Sequence, residues 1–71
     1  VKVYPNPANN RVSFSEEIEL ATLINQKGVE IKSVQNDKQM ELDDVPPGFY
    51  FIRMRTKEGE QVFTKLVVFR P

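Results

Sequence analysis

The stretch Gly48–Phe69, GFYFIRMRTKEGEQVFTKLVVF, decides the fold. Phe49 to Thr56 alternates as a β-strand. Lys57-Glu58-Gly59 then makes a three-residue loop with glycine at the left-handed position, and Gln61 to Phe69 is the returning strand. Loop length sets the register, so Thr56 faces Glu60, Met54 faces Val62, Ile52 faces Thr64 and Tyr50 faces Leu66. One face of this hairpin is Tyr50, Ile52, Met54, Val62, Leu66 and Val68, which reads as core. The other carries Phe49, Phe51, Phe63, Val67 and Phe69 beside Arg53, Arg55 and Lys65. Two readings of that outward face stand open. Another loop or the upstream domain covers it, or the stems of the arginines and lysine screen it; or it is a docking face, with Phe49, Phe51 and Phe63 as its candidate contact residues.

The same punctuation continues upstream. Asp43-Asp44-Val45-Pro46-Pro47-Gly48 is a turn-rich crossing that follows a short strand at Met40 to Leu42, and Gln35 to Gln39 reads as a polar loop. Ile18, Leu20, Thr22 and Ile24 alternate along a strand with Glu17 and Glu19 on its other face. Ala21 and Leu23 are apolar on that second face too, so the end of this strand is expected to be covered on both sides. Asn25-Gln26-Lys27-Gly28 turns it into a strand carrying Val29, Ile31 and Ser33. At the start, Val1 to Tyr4 is a strand ended by Pro5-Asn6-Pro7, since two prolines remove two ladder donors. Ala8-Asn9-Asn10 turns into a second strand, Arg11 to Phe14. No stretch of ten residues shows a helical period. The pattern predicts an all-β domain of about seven short antiparallel strands in two sheets.

Composition narrows the function. Seventy-one residues make one domain, and a chain this short needs most of its apolar residues for its core. Ten Lys plus Arg balance ten Asp plus Glu, so no basic surplus points to nucleic acid. There is no Cys and no His, which removes disulfides, thiolate chemistry and the commonest general base and metal ligand. Glu16 and Glu17 are adjacent in a strand and point to opposite faces, so they do not converge on one substrate. Ser13, Ser15 and Ser33 have no activating partner. Asp43-Asp44, with Asn36 and Asp37 nearby, supplies oxygen ligands, but the spacing matches no known calcium loop. The expectation is therefore no catalytic, cofactor-binding or metal residue and no enzyme. No apolar run approaches the roughly 20 residues that span a bilayer, and no signal peptide opens the chain. The chain begins at Val1 directly on a β alternation, which reads as a piece cut from a larger exported protein.

Tyr4-Pro5-Asn6-Pro7-Ala8, the Gly28 turn, Val45-Pro46-Pro47-Gly48-Phe49-Tyr50-Phe51-Ile52 and Thr64-Lys65-Leu66-Val67-Val68, in this order and at these spacings, resemble the type IX secretion C-terminal sorting domain (type A, Por secretion family). The resemblance covers essentially the whole chain. It implies an immunoglobulin-like β-sandwich at the end of a cargo protein that crosses the periplasm. There the outer-membrane translocon recognises it, and a sortase-like peptidase removes it and attaches the cargo to a lipopolysaccharide at the cell surface. Some members keep the domain as part of a secretion or attachment machinery. Carried over residue by residue, the recognition role falls on Lys65, Leu66, Val67, Val68 and Phe69. Tyr4, Pro5, Asn6, Pro7, Gly28, Pro47, Gly48 and Tyr50 match the family motifs and read as structural. Phe69-Arg70-Pro71 departs from the commoner short ending. The implied partners are the translocon, the peptidase and the upstream cargo domain, with no nucleic acid and no transmembrane segment.

A terminal strand ending in an exposed apolar run can be captured by strand addition, its backbone pairing with a partner's sheet edge. On this reading Lys65 to Pro71 is accessible, and its removal abolishes receptor binding while the shortened domain stays folded. The same outward face and pairable strand make a homodimer or strand exchange of the isolated domain an expectation. The alternative function is a generic immunoglobulin-like or fibronectin-like accessory or docking module, a retained machinery domain included.

Overall fold

A computed structural model describes residues 1–70. It is all-β: β1 (Val3–Tyr4), β2 (Arg11–Asn25), β3 (Glu30–Glu41), β4 (Gly48–Thr56) and β5 (Gln61–Val68), with no helix among the described residues. All pairings between strands are antiparallel, and the order runs β1-β2-β4-β5 with β3 on the other side of β2. The sequence leads one to expect about seven strands in two sheets; the structure has five, joined in one hydrogen-bonded sheet. The difference has a simple origin. The segments 11–14 and 18–24 are the two halves of β2, and 30–34 and 40–41 belong to the two halves of β3. The polar segment 35–39 runs on as strand through a bend. There the β2–β3 register jumps between Ser13 and Ile18, Asn36 takes a positive φ of 53°, and the Asp37 carboxylate accepts the Lys38 and Gln39 amides.

That bend folds the N-terminal half of β2 over the rest of the sheet. Val12 and Phe14 on β2 and Met40 on β3 join Ile18, Leu23, Ile52, Met54, Leu66 and Val68 in one buried cluster, closed by Ala8, Leu42 and Val45. The terminal hairpin has the register its loop dictates: Met54 opposes Val62, Ile52 opposes Thr64 and Tyr50 opposes Leu66, while the Thr56 amide bonds the Glu60 carbonyl. Its core face is buried except at half-buried Val62 and Thr64.

One face assignment is corrected. Ile18 opposes Thr56 but Leu20 opposes Arg55, so Glu19 is an extra residue that reverses the alternation. Beyond it Ala21 and Leu23 point into the core beside Met54 and Ile52, and Leu20, Thr22 and Ile24 point outward. Thr22 and Ile24 are nonetheless buried, at 4% and 6% exposure. The Arg53–Glu30 ion pair, 2.7 Å, reaches from β4 to β3 across this middle strand. The expected two-sided cover of this strand is present. Val29 and Ile31, read as part of an alternating strand, are exposed: Val29 lies before β3 begins, and Ile31 is the extra residue in the β2–β3 register.

Candidate functional site: the terminal strand and its surroundings

Hydrogen bonds bring the motif residues of two distant segments onto β5, and a third lies beside β4 at the same end of the sheet. β1 pairs with β2 through Val3 and Tyr4, and Pro5-Asn6-Pro7 then carries the chain across to the outer edge of β5. There the Asn6 carboxamide acts as a short piece of strand. Its Nδ2 donates to the Lys65 carbonyl at 3.0 Å and its Oδ1 accepts the Val67 amide at 3.1 Å. One residue pair further, Ala8 forms a parallel bridge with Val68: the Ala8 amide donates to the Val67 carbonyl at 2.7 Å, and the Phe69 amide to the Ala8 carbonyl at 2.8 Å. A proline on either side of Asn6 has no amide to offer, so a side chain does the pairing where the backbone is unable to.

The second motif segment lies on the inner side of the same strand end. Gly48 opposes Val68 and Tyr50 opposes Leu66. The Tyr50 hydroxyl, on a ring 8% exposed, donates to the Pro46 carbonyl at 2.6 Å. Gly48 has a φ of +156°, which L side chains rarely adopt, and the Tyr50 ring edge lies beside it. The third motif, the Asn25–Gly28 turn, abuts this end through the Asn25–Tyr50 pair. Gly28 has a φ of +84° and donates its amide to the Asn25 carbonyl, while the Asn25 carboxamide oxygen accepts from Lys27 and Val29. An open hollow between this turn and β4 is lined by Asn25, Gln26, Lys27, Pro47, Phe49 and Tyr50.

The proposed recognition run divides by alternation. Leu66 and Val68 are fully buried core residues. Lys65 and Phe69 are exposed and Val67 is half-buried. Only the outward residues of the run can touch a partner while the domain is folded. Its backbone edge is also less free than a bare terminal strand would be, because Asn6 and Ala8 occupy it from Lys65 to Phe69. Upstream, Gln61 to Thr64 pairs on this edge with no strand among the described residues. Loss of Lys65 to Pro71 would remove Leu66 and Val68 from a small core, and their burial speaks against a shortened domain that stays folded. Pro71 lies outside the described residues.

The outward face holds Phe49, Phe63 and Phe69, each about three-fifths exposed, and half-buried Phe51. The Phe51 and Phe63 rings sit 5.7 Å apart and tilted by 43°. Arg53 and Arg55 are taken up by Glu30 and Glu19, which screens the β2 side of the face and leaves the β5 side, with Lys65, open. Two residues hold neighbouring segments together in ways that neither the turn nor the motif strings reveal. Arg70 donates through Nη1 to the Val45 carbonyl at 2.6 Å and through Nη2 to the Leu42 carbonyl, clasping the end of the chain to the crossing turn. Ala8 is 1% exposed where the sequence suggests only a turn. Its small size directly after two prolines is the one signal that could have marked it as a close approach.

Asp44, on that turn, accepts from Lys32 at 3.0 Å, and this bond holds its carboxyl below the ordinary carboxylate value. The Lys32 ammonium also donates to the Glu41 carbonyl. Of the oxygen-bearing residues considered as metal ligands, three are engaged separately: Asp44 with Lys32, Asp37 with backbone amides, and Asn36 with Lys57 at 3.2 Å. Among the described residues no group of three or more acidic side chains is placed to hold a metal. Nor is there a helix long and apolar enough to cross a membrane.

The molecule is thus an all-β module with two motif segments paired to its last described strand, beside an open hollow and an aromatic face. The chain belongs to the secretion system C-terminal sorting domain family, whose model matches residues 2–69. It is a sorting domain of type IX secretion, the class that directs export through the outer membrane to the cell surface or the medium. A comparison with curated proteins finds no match.

Proposed function

We propose that this domain is the signal by which a type IX translocon of the outer membrane takes the parent protein from the periplasm to the cell surface, with no catalysis of its own. Recognition uses the outward side of β5, namely Lys65, Val67 and Phe69 with neighbouring Phe49, Phe51 and Phe63. Leu66 and Val68 serve by holding that strand in place. A sortase-like peptidase then removes the domain and joins the cargo to a surface lipopolysaccharide. The observation that carries this reading is the family match over residues 2–69, together with the pairing of two motif segments with β5. The immunoglobulin-like sandwich belongs to the same reading. Its support is the bent β2–β3 pair folded over a single core, and the N-terminal segment that changes from the edge of β2 to that of β5.

The test is a periplasmic reporter carrying this domain at its C-terminus, in cells with and without a working type IX translocon. Surface delivery that depends on the translocon supports the proposal. A folded reporter that stays in the periplasm of both strains overturns it. That outcome favours the second reading, an accessory or docking module of a secretion machinery, which the exposed Phe49, Phe63 and Phe69 support.

A further inference from the structure

The pairing edge of β5 is occupied by the chain's own N-terminal segment, and the occupant is lightly held. Pro5, Asn6 and Pro7 are all exposed, so the segment buries little apolar surface beyond the Ala8 methyl. Its grip on β5 consists of four hydrogen bonds, two from the Asn6 carboxamide and two from the Ala8 backbone. Pro5 and Pro7 contribute no amide and so cannot extend the ladder. The strand beneath is held quite differently. It makes eight residue pairings with β4 from Gln61 to Val68, and Leu66 and Val68 are buried in the core. Opening of such a structure is local and begins where buried contacts are fewest. The segment can therefore leave β5 while β5 stays in the sheet.

Its departure exposes the amide of Val67, the carbonyls of Lys65 and Val67 and the amide of Phe69. These continue the edge from Gln61 to Thr64 that is already unpaired by any strand among the described residues. A row of edge donors and acceptors of this length fits one class of ligand, an extended polypeptide strand. We infer that the Pro5–Ala8 segment is a displaceable cover on the edge of β5, and that a strand of the secretion receptor replaces it against Lys65–Phe69. This rests on the sorting function proposed above and adds how the signal is shielded and read. The cover keeps the edge from pairing indiscriminately before the receptor is met. It also lowers the apparent affinity of the receptor by the fraction of time the edge is closed.

Two variants test the cover. In Ala8→Cys/Val68→Cys, a disulfide across the parallel bridge locks the segment down. The same double variant kept reduced by dithiothreitol is the control, so that any effect of the two substitutions themselves is common to both arms. In the reporter assay the oxidised pair is expected at the surface far less than the reduced pair, its disulfide verified by thiol alkylation and its fold by circular dichroism. Delivery of the oxidised pair at the level of a delivered reduced pair overturns the cover while leaving the sorting function standing; where the reduced pair is itself not delivered, the exchange measurement on Asn6→Ala decides. A wild-type reporter that never leaves the periplasm overturns the sorting function and the cover with it. Should the double variant fail to fold, Asn6→Ala decides by hydrogen exchange of the isolated domain. The Val67 and Phe69 amides are expected to exchange at least about tenfold faster, a loosening equivalent to one ordinary hydrogen bond, with the Ile52 and Met54 amides unchanged. Unchanged exchange at Val67 and Phe69 overturns the inference, and so does an equal rise at all four amides, which marks global destabilisation.

Discussion

Arg70 holds two backbone carbonyls at the crossing turn and Tyr50 one, each with a side chain whose loss is easy to measure. Arg70 bonds the carbonyls of Leu42 and Val45 from a half-buried position. Arg70→Ala is expected to cost about 1–3 kcal/mol, read as a lower urea midpoint at unchanged slope. Tyr50→Phe loses one bond to the Pro46 carbonyl and leaves the ring in place, so about 1 kcal/mol is expected in the same measurement. Asp44 gives the turn a pH dependence of known sign. Its carboxyl is lowered by the hydrogen bond from Lys32, so the tie is fully present above the ordinary carboxylate value and is lost as pH falls through the lower folded value. The side chain is fully exposed, so the effect is small. Urea midpoints of the wild type and Asp44→Asn should differ slightly at neutral pH and converge in acid; a gap that widens in acid contradicts the assignment.

The β4–β5 hairpin was legible in the sequence because its loop length sets the register, and the register sets which side chains share a face. The outward phenylalanines followed from it. The outward residues of β2 did not, because a single extra residue at Glu19 reverses the alternation and a bulge leaves no mark in a hydrophobic pattern. The same limit applied to Ile31, and to the segment 35–39, whose polar composition concealed a strand that bends. For the site, the residues of the terminal run and the family motifs could be read. Their division into buried Leu66 and Val68 and outward Lys65, Val67 and Phe69 needed the register, and the pairing of Asn6 with Lys65 and Val67 needed the fold. That division predicts a contrast along one strand. Leu66→Ala should cost about 2–5 kcal/mol and reduce export by unfolding the signal. Phe63→Ser should change stability by no more than about 1 kcal/mol, since the ring is 62% exposed. A large drop in melting temperature for Phe63→Ser would show that this face is structural.

As a whole the chain has a radius of gyration of 11.0 Å, which matches the roughly 11 Å expected of a compact domain of this length. Among the described residues the exposed large apolar side chains are Val1 and Tyr4 at the start, Val29 and Ile31 at the turn into β3, and Phe49, Phe63 and Phe69 on the outward face. Two long strands that bend allow five strands to enclose a core for which the sequence suggested about seven. Their bend, unlike their apolar content, is set by contacts between residues far apart in the chain. The central claim is that the folded domain presents its sorting signal on the outward side of β5. The most direct test is surface delivery of a reporter bearing Lys65→Glu and Phe69→Ser together, in cells with a working translocon. Both side chains are exposed, so the melting temperature of the isolated variant is expected to stay near that of the wild type. The account predicts a folded reporter held in the periplasm; delivery at the wild-type level would contradict it.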